Sequence, residues 1–304
     1  MKLTKSITYV VVTPVRDEAS NIHHTIESFA NQTILPKQWV VIDDGSTDAT
    51  GQIADEAARK YPWITVIHRR NRGFRKTGGG VIEAFYDGYE LVRNQSWDFI
   101  AKMDADLGFA ADYFERCFEI FEKDPKLGLG GGLVWEHRDG RLVVGSAGDP
   151  AFHVRGATKV YRRECWQQIG GLIKDLGWDT VDELKANMLG WRTYTFKGLK
   201  LTHYKPTGAA DGVWGRLLKA GRANYVTGYH PLFMVLKCIK RLTRRPYCVG
   251  SLGLWLGFVS GYLKRAPKVA DEPLIRWVRD QQLRQLCLKS SLWRQKSVHH
   301  HPTA

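Results

Sequence analysis

Over its first hundred residues the chain alternates four short, apolar, β-rich runs with segments of helical periodicity, and this alternation constrains the fold more than any other feature. Ile7-Thr8-Tyr9-Val10-Val11-Val12 stops at Thr13-Pro14 and reads as a buried strand. Ile22, Ile26 and Phe29 then recur at helical spacing behind Ala19-Ser20-Asn21. Trp39–Ile42 is a second strand, followed by a helix opening at Thr47-Asp48-Ala49-Thr50. Ile64–Ile67 is a third, followed by a Gly-rich loop and a helix over Val81–Arg93. Trp97–Met103 is the fourth. Such alternation implies an α/β domain with a mostly parallel sheet, because parallel neighbours need crossover helices. Ligands of such sheets bind beyond the carboxyl ends of the strands.

Beyond Pro125 the pattern loosens. Leu127–Val134 is a glycine-laced apolar run, and Arg141–Val144 and Lys159–Tyr161 read as short strands. Glu164–Ile169 and Trp178–Leu189 read as helices stopped by Gly170-Gly171 and Gly190. Arg192–Phe196 and Lys200–His203 read as two further short strands.

Acidic residues crowd two of the strand ends. Asp43-Asp44-Gly45-Ser46 follows the second strand and precedes a helix, where carboxylates can accept from a base or ribose and the helix N-terminus favours phosphate. The same residue types also serve as caps and turns. Asp104-Ala105-Asp106 follows the fourth strand. Two acids there are costly without a partner, and hard divalent cations take carboxylate oxygens together with substrate phosphates.

These residues resemble family 2 glycosyltransferases, in order and spacing over about residues 6–205. Val12–Glu18 is similar to that family's first strand and loop, Val41–Asp48 to its nucleotide signature, Asn71–Lys76 to the loop after its third strand, and Asp104–Asp106 to its metal-binding DxD. Trp178-Asp179-Thr180, before Gly190-Trp191-Arg192, matches the family's acidic pair ending in the catalytic base, with Trp178 in place of the usual Glu. The resemblance implies the GT-A fold and transfer of one sugar from a UDP- or GDP-sugar to a hydroxyl acceptor, lipid-linked or polysaccharide, with inversion. It implies that Pro14, Arg16, Glu18, Asp43, Asp44, Ser46, Arg75, Lys76 and Asp104 hold the nucleotide. It implies that Asp106, with His203, binds Mg²⁺ or Mn²⁺. Asp179 is the implied base. Asp182 and Glu183, at i+3 and i+4 on the same helix, share its face and stay open for that role. Arg155-Gly156-Ala157 is a candidate acceptor loop. The Gln-x-x-Arg-Trp motif of processive synthases is absent, and Gly221–Tyr225 stands at a comparable place. Two other readings compete. A nucleotidyltransferase needs a Gly-rich signature at the first strand, which Val12–Glu18 lacks; a non-catalytic binding protein implies loss of the DxD or the base.

Charge divides the chain into a catalytic domain, 1–215, and a C-terminal region, 216–304. The first holds 28 Lys+Arg and 28 Asp+Glu, whereas the second holds 17 Lys+Arg and three acids and carries the whole net charge of +14. An anionic membrane surface suits that excess better than nucleic acid, for which no recognised motif accompanies it. Pro246–Leu263 is an uncharged 18-residue stretch with Gly253, Gly257 and Gly261 four apart, short for a span and suited to a re-entrant or interfacial segment. The opening carries no secretory pattern, and five dispersed cysteines read as buried small hydrophobes of a reducing compartment, so the expected location is cytoplasmic, peripheral on the membrane face.

Overall fold

Strand β1 (Tyr9–Val15) is buried on both faces: Tyr9 and Val11 enter one apolar cluster, Val10 and Val12 the other. The same period of two places Trp39 and Val41 of β2 (Gln38–Asp43) on the first side and Val40 and Ile42 on the second. Strands covered on both faces give the continuous apolar runs seen in the sequence. The computed structural model describes residues 3–74, 78–138, 140–145, 149–205, 212–243 and 246–295.

β1 and β2 pair in parallel with β3 (Ile64–His68) and β4 (Phe99–Met103), giving the order β3-β2-β1-β4. The crossovers are α1 (Ile22–Ala30), α2 (Thr50–Lys60) and α3 (Gly80–Val92). This block matches the expected alternation closely. Two elements have no counterpart in the sequence reading: β5 (Leu107–Phe109) and α4 (Tyr113–Lys123). α4 is nonetheless strongly amphipathic, with Tyr113, Phe114, Cys117, Phe118 and Phe121 buried at helical spacing.

The sheet continues through β6 (Leu127–Arg138), β7 (Arg141–Val144), β8 (Thr158–Arg162) and β9 (Arg192–His203). Beyond β4 the order is β8-β6-β9-β5, with β7 hairpinned onto β6. β8 is antiparallel to β4 and β6, β9 is parallel to β6, and β5 is antiparallel to β9. Arg192–His203 is one strand rather than two; its pairing with β6 shifts register between Gly132 and Leu133 and then resumes. Helices α5 (Arg163–Ile169) and α6 (Trp178–Met188) cover the second face, each close to its expected bounds. Gly170 ends α5 in the left-handed region.

The C-terminal region is helical: α7 (Gly212–Val226), α8 (Pro231–Arg241), α9 (Val249–Leu263), α10 (Glu272–Leu286) and a 3-10 turn at Leu292–Arg294. These helices build a third apolar cluster that includes Phe152, Val181 and Leu184 from the preceding region. Lys185 of α6 pairs with Asp271, the N-cap of α10, at 2.9 Å. The small-residue face of α9 packs backbone to backbone on α7: a Cβ at Gly257 would lie 2.2 Å from the Leu218 carbonyl oxygen, and one at Gly221 would lie 2.1 Å from that of Leu254. Among the described residues no helix is long and apolar enough to cross a membrane. Cys117, Cys165 and Cys238 are buried as expected; Cys248 and Cys287 are exposed, so the buried reading holds for three of the five.

Candidate active site

The carboxyl ends of β1 and β2 are laced together. Val15 is in register with Asp43, and Asp44 N donates to the Val15 carbonyl. Asp17 adopts φ 53°, and its carboxylate accepts from Thr47 N at 2.8 Å. Ser46 Oγ accepts from Asp17 N, and Thr50 Oγ1 from Glu18 N. Gly45 has φ 72°, and a Cβ there would meet Asn71 Cα at 2.5 Å, so the turn and the loop after β3 leave room only for glycine.

The two aspartates of this turn face different partners. Asp43 accepts from Ser46 N and lies 3.1 Å from His68 Nδ1. Hydrogen bonds to Asp43 and Asp55 hold His68 above its usual range. Asp44 is gripped by two guanidinium groups, Arg69 at 2.5 Å and Arg72 at 2.6 Å. Arg16 reaches Asn71 Oδ1 at 3.1 Å. Glu18 is paired with Lys205 at 2.6 Å. Pro14 lies in β1 opposite Ile42. Of the residues expected around a nucleotide, Arg75 and Lys76 lie outside the described residues.

Asp104 and Asp106 occupy the bend between β4 and β5. Register brings their partners to them: β5 sets Leu107 opposite His203, and β6 sets Glu136 opposite His203. One ligand atom from each of Asp104, Asp106 and His203 lies within 4.8 Å of the other two. His203 Nε2 is 3.0 Å from Asp106 Oδ2, and Nδ1 is 3.8 Å from Glu136 Oε1. Burial opposes the charged imidazole, but Asp106 and Glu136 outweigh it and push His203 up to about 9. Glu136, itself buried, also receives Arg155 Nη2 at 2.9 Å. Two carboxylates and an imidazole backed by a third carboxylate form a donor set that fits a divalent cation. Lys102, buried in β4, pairs with Asp104 on the inner side.

Residues 155–157 join this cluster to the start of α6. Ala157 O accepts from Asp104 N, Arg155 holds Glu136, and a Cβ at Gly156 would lie 2.8 Å from Trp178 and 3.3 Å from Asp179 Cβ. Asp179 is half-buried at the first turn of α6. Asp182 and Glu183 are buried beneath it. Asp182 accepts from Lys159 Nζ at 2.7 and 2.8 Å and from Tyr161 Oη at 2.5 Å. Glu183 accepts from His153 Nδ1 at 2.6 Å and from Val154 N at 3.0 Å. Lys159 also donates to the Asp179 carbonyl at 2.6 Å. The ring of Trp178 faces two ammonium groups, Lys102 at 5.2 Å and Lys159 at 5.7 Å.

Sequence reasoning did not single out Lys102, Lys159, Glu136, Arg69, Arg72 or Lys205. Lys102 had a signal, since it is a lone charge inside the apolar run of β4. Glu136 had none; it enters the cluster only through the β6–β9 register.

Comparison with known proteins identifies the family and the fold. Residues 10–163, half of the chain, match the model of glycosyl transferase family 2. The chain is 28% identical over 177 residues to polyprenol monophosphomannose synthase of Mycolicibacterium smegmatis, 53% of this chain and 63% of that one. It is 26% identical over 134 residues to the uncharacterized glycosyltransferase EpsJ of Bacillus subtilis, 44% of this chain and 36% of that one. The alignments therefore span less than two thirds of either relative. The fold superposes on a mannosyltransferase, PcManGT of Pyrobaculum calidifontis, solved with GDP-Man and Mn²⁺, with TM-score 0.55 and 19% identity, covering 95% of this chain and 77% of that one. With the expected motifs at the ends of β1, β2 and β4 and the GT-A arrangement of its sheet, the chain belongs to glycosyl transferase family 2.

Proposed function

We propose that this protein transfers one sugar from a UDP- or GDP-sugar to a hydroxyl of a lipid-linked or polysaccharide acceptor, inverting the anomeric centre. The observation that carries the reading is the Asp104, Asp106 and His203 cluster, set beyond the strand ends of a family 2 chain. The GDP-Man and Mn²⁺ bound to the structurally similar mannosyltransferase support it. The nucleoside lies against the ends of β1 and β2, bounded by Pro14, Arg16, Glu18 and Ser46. Asp44 faces it, with Arg69 and Arg72 fixing its carboxylate, while Asp43 holds the turn. Asp104 is shared between ribose and metal.

Asp104, Asp106 and His203 would hold a divalent ion, Mn²⁺ or Mg²⁺, which supplies Lewis-acid neutralisation of charge on the departing nucleoside diphosphate. Asp179 is the general base. Asp182 and Glu183 are sealed from the site by their ion pairs with Lys159 and His153, so they position α6 instead. As the acceptor oxygen attacks the anomeric carbon, its proton passes to Asp179 and the bond to the diphosphate oxygen breaks. One displacement inverts the centre. Arg155–Ala157, touching both Asp104 and Asp179, lines the acceptor side. Residues 1–215 form the catalytic part, and residues 216–304 bring it to an anionic membrane on the cytoplasmic face. The test is turnover of a panel of UDP- and GDP-sugars with Mn²⁺ or Mg²⁺. Asp106→Asn abolishes turnover with the fold intact; full turnover in that variant, or none across the panel for the wild type, defeats the reading.

A further inference from the structure

The packing of α9 on α7 has a geometric corollary. Gly253, Gly257 and Gly261 occupy the contact face with α7, and Leu254 and Phe258 beside them are buried, so the opposite side of α9 is left outward. Val249, Leu252 and Leu256, at i, i+3 and i+7, are 43–52% exposed. The neighbouring α8 repeats the pattern. It buries Met234 and Cys238, while Leu232, Leu236 and Ile239, at i, i+4 and i+7, are 41–54% exposed. The two helices are tied together by Ser251 Oγ donating to the Cys238 carbonyl. An uncovered apolar surface repeated on two packed helices marks an interaction site rather than ordinary surface.

Charge selects the partner. From residue 216 to residue 270 the sequence has no Asp or Glu, and both helices end in basic residues: Lys240 and Arg241 close α8, and Lys264 and Arg265 follow α9. A second copy of the chain would set like charges against each other. An anionic bilayer satisfies both features, taking the leucine stripes into the headgroup boundary and the lysines and arginines against its phosphates. α8 has 11 residues and α9 has 15, so both lie along the surface rather than cross it.

We infer that the outer faces of α8 and α9 form an interfacial docking surface for an anionic lipid bilayer. The inference deepens the membrane placement proposed above but draws nothing from the sugar-transfer chemistry. It also orients the site. Gly177, just before Trp178 and Asp179, packs on Ala223 and Thr227 at the end of α7, which in turn packs on α9. The start of α6 is thus coupled to the docked helices by two packed contacts.

The experiment is vesicle flotation of the full chain, without donor sugar, on phosphatidylcholine alone and on phosphatidylcholine with phosphatidylglycerol. The wild type floats with the anionic vesicles at low salt, is released as salt rises, and stays down with phosphatidylcholine alone. Replacing Lys240 and Lys264 together by Gln lowers affinity about fivefold per residue. Ile239→Gln, Leu252→Gln and Leu256→Gln together, with an unchanged melting temperature, lower flotation at least tenfold. Absence of wild-type flotation at low salt overturns the inference, as does full flotation of the folded triple variant. So does a concentration-dependent dimer that forms through this face with no lipid binding. Each of these leaves the transferase reading standing, because donor turnover is measured separately.

Discussion

The assignment of Asp179 rather than Asp182 as base can be tested by asking which substitution unfolds the protein and which one silences it. Asp182→Asn removes a buried charge whose carboxylate meets Lys159 at 2.7 Å and Tyr161 at 2.5 Å. Removing one partner of a buried ion pair costs about 3–5 kcal/mol, because the other charge stays buried and unbalanced. Glu183, 3.6 Å from the same ammonium, remains as partial compensation, which puts the loss near about 3 kcal/mol. For a chain of this size that lowers the melting temperature by about 5 °C. Asp179→Asn changes a half-buried side chain at the helix start, and its stability effect stays within about 0.5 kcal/mol. Its turnover should fall about 10²- to 10⁴-fold, the usual share of a general base. The assay is a pair of thermal melts at one scan rate, with donor-sugar transfer measured on both proteins. An Asp182→Asn melt within 2 °C of wild type, roughly the scale of a surface substitution, would refute the structural role. An Asp179→Asn protein keeping most of its turnover would refute the catalytic one.

Other outcomes follow from the same contacts. Burial opposes the charged form of His153, but the charge and hydrogen bond of Glu183 outweigh it and push His153 up to about 9. Its stabilisation is therefore complete below the unfolded value of about 6.5 and disappears as pH rises through about 9, roughly 3 kcal/mol in all. The melting temperature should fall across that window, and less steeply in His153→Gln; equal slopes in both proteins contradict the pair. Mn²⁺ at a hundred times its dissociation constant should stabilise the protein by about 2.7 kcal/mol, read as a thermal shift reversed by chelator. Asp106→Asn should show no shift, and an unchanged shift would remove Asp106 from the metal site. Gly257→Ala sets a methyl 2.2 Å from the Leu218 carbonyl oxygen and should destabilise by about 1–3 kcal/mol. Gly198→Ala, with nothing within 4 Å, is the neutral control in the same melt.

How much of this was legible in the sequence depended on whether a feature is local. The parallel block was legible because strands covered on both faces must be apolar throughout, as Val10–Val12 and Val40–Ile42 are. Asp104 and Asp106 were legible because two acids at i and i+2 at such a strand end are conspicuous. The partners of His203 were not, since Glu136 lies 67 residues away and reaches it through a strand pairing with a bulge in its register. The interruption at Lys197-Gly198 made one strand look like two. α4 did carry a local signal, the helical spacing of its buried aromatics. For the base, helical spacing correctly gave Asp179, Asp182 and Glu183 a common side. It could not show that β8 places Lys159 under that side and buries two of the three.

Trp178 is where sequence and structure inform each other most. Against the family pattern it is a missing carboxylate. In the folded protein the buried charges around it are already matched: Lys159 and His153 answer Asp182 and Glu183, and Lys102 answers Asp104. A glutamate at 178 would add a charge at a partly buried position whose two neighbouring ammonium groups already serve Asp104 and Asp182. An aromatic ring meets the two ammonium groups through its π face, and it also fills the space against Gly156. The departure therefore removes a charge from a balanced interior and leaves Asp179, its neighbour, as the one carboxylate of the three in α6 that is not buried.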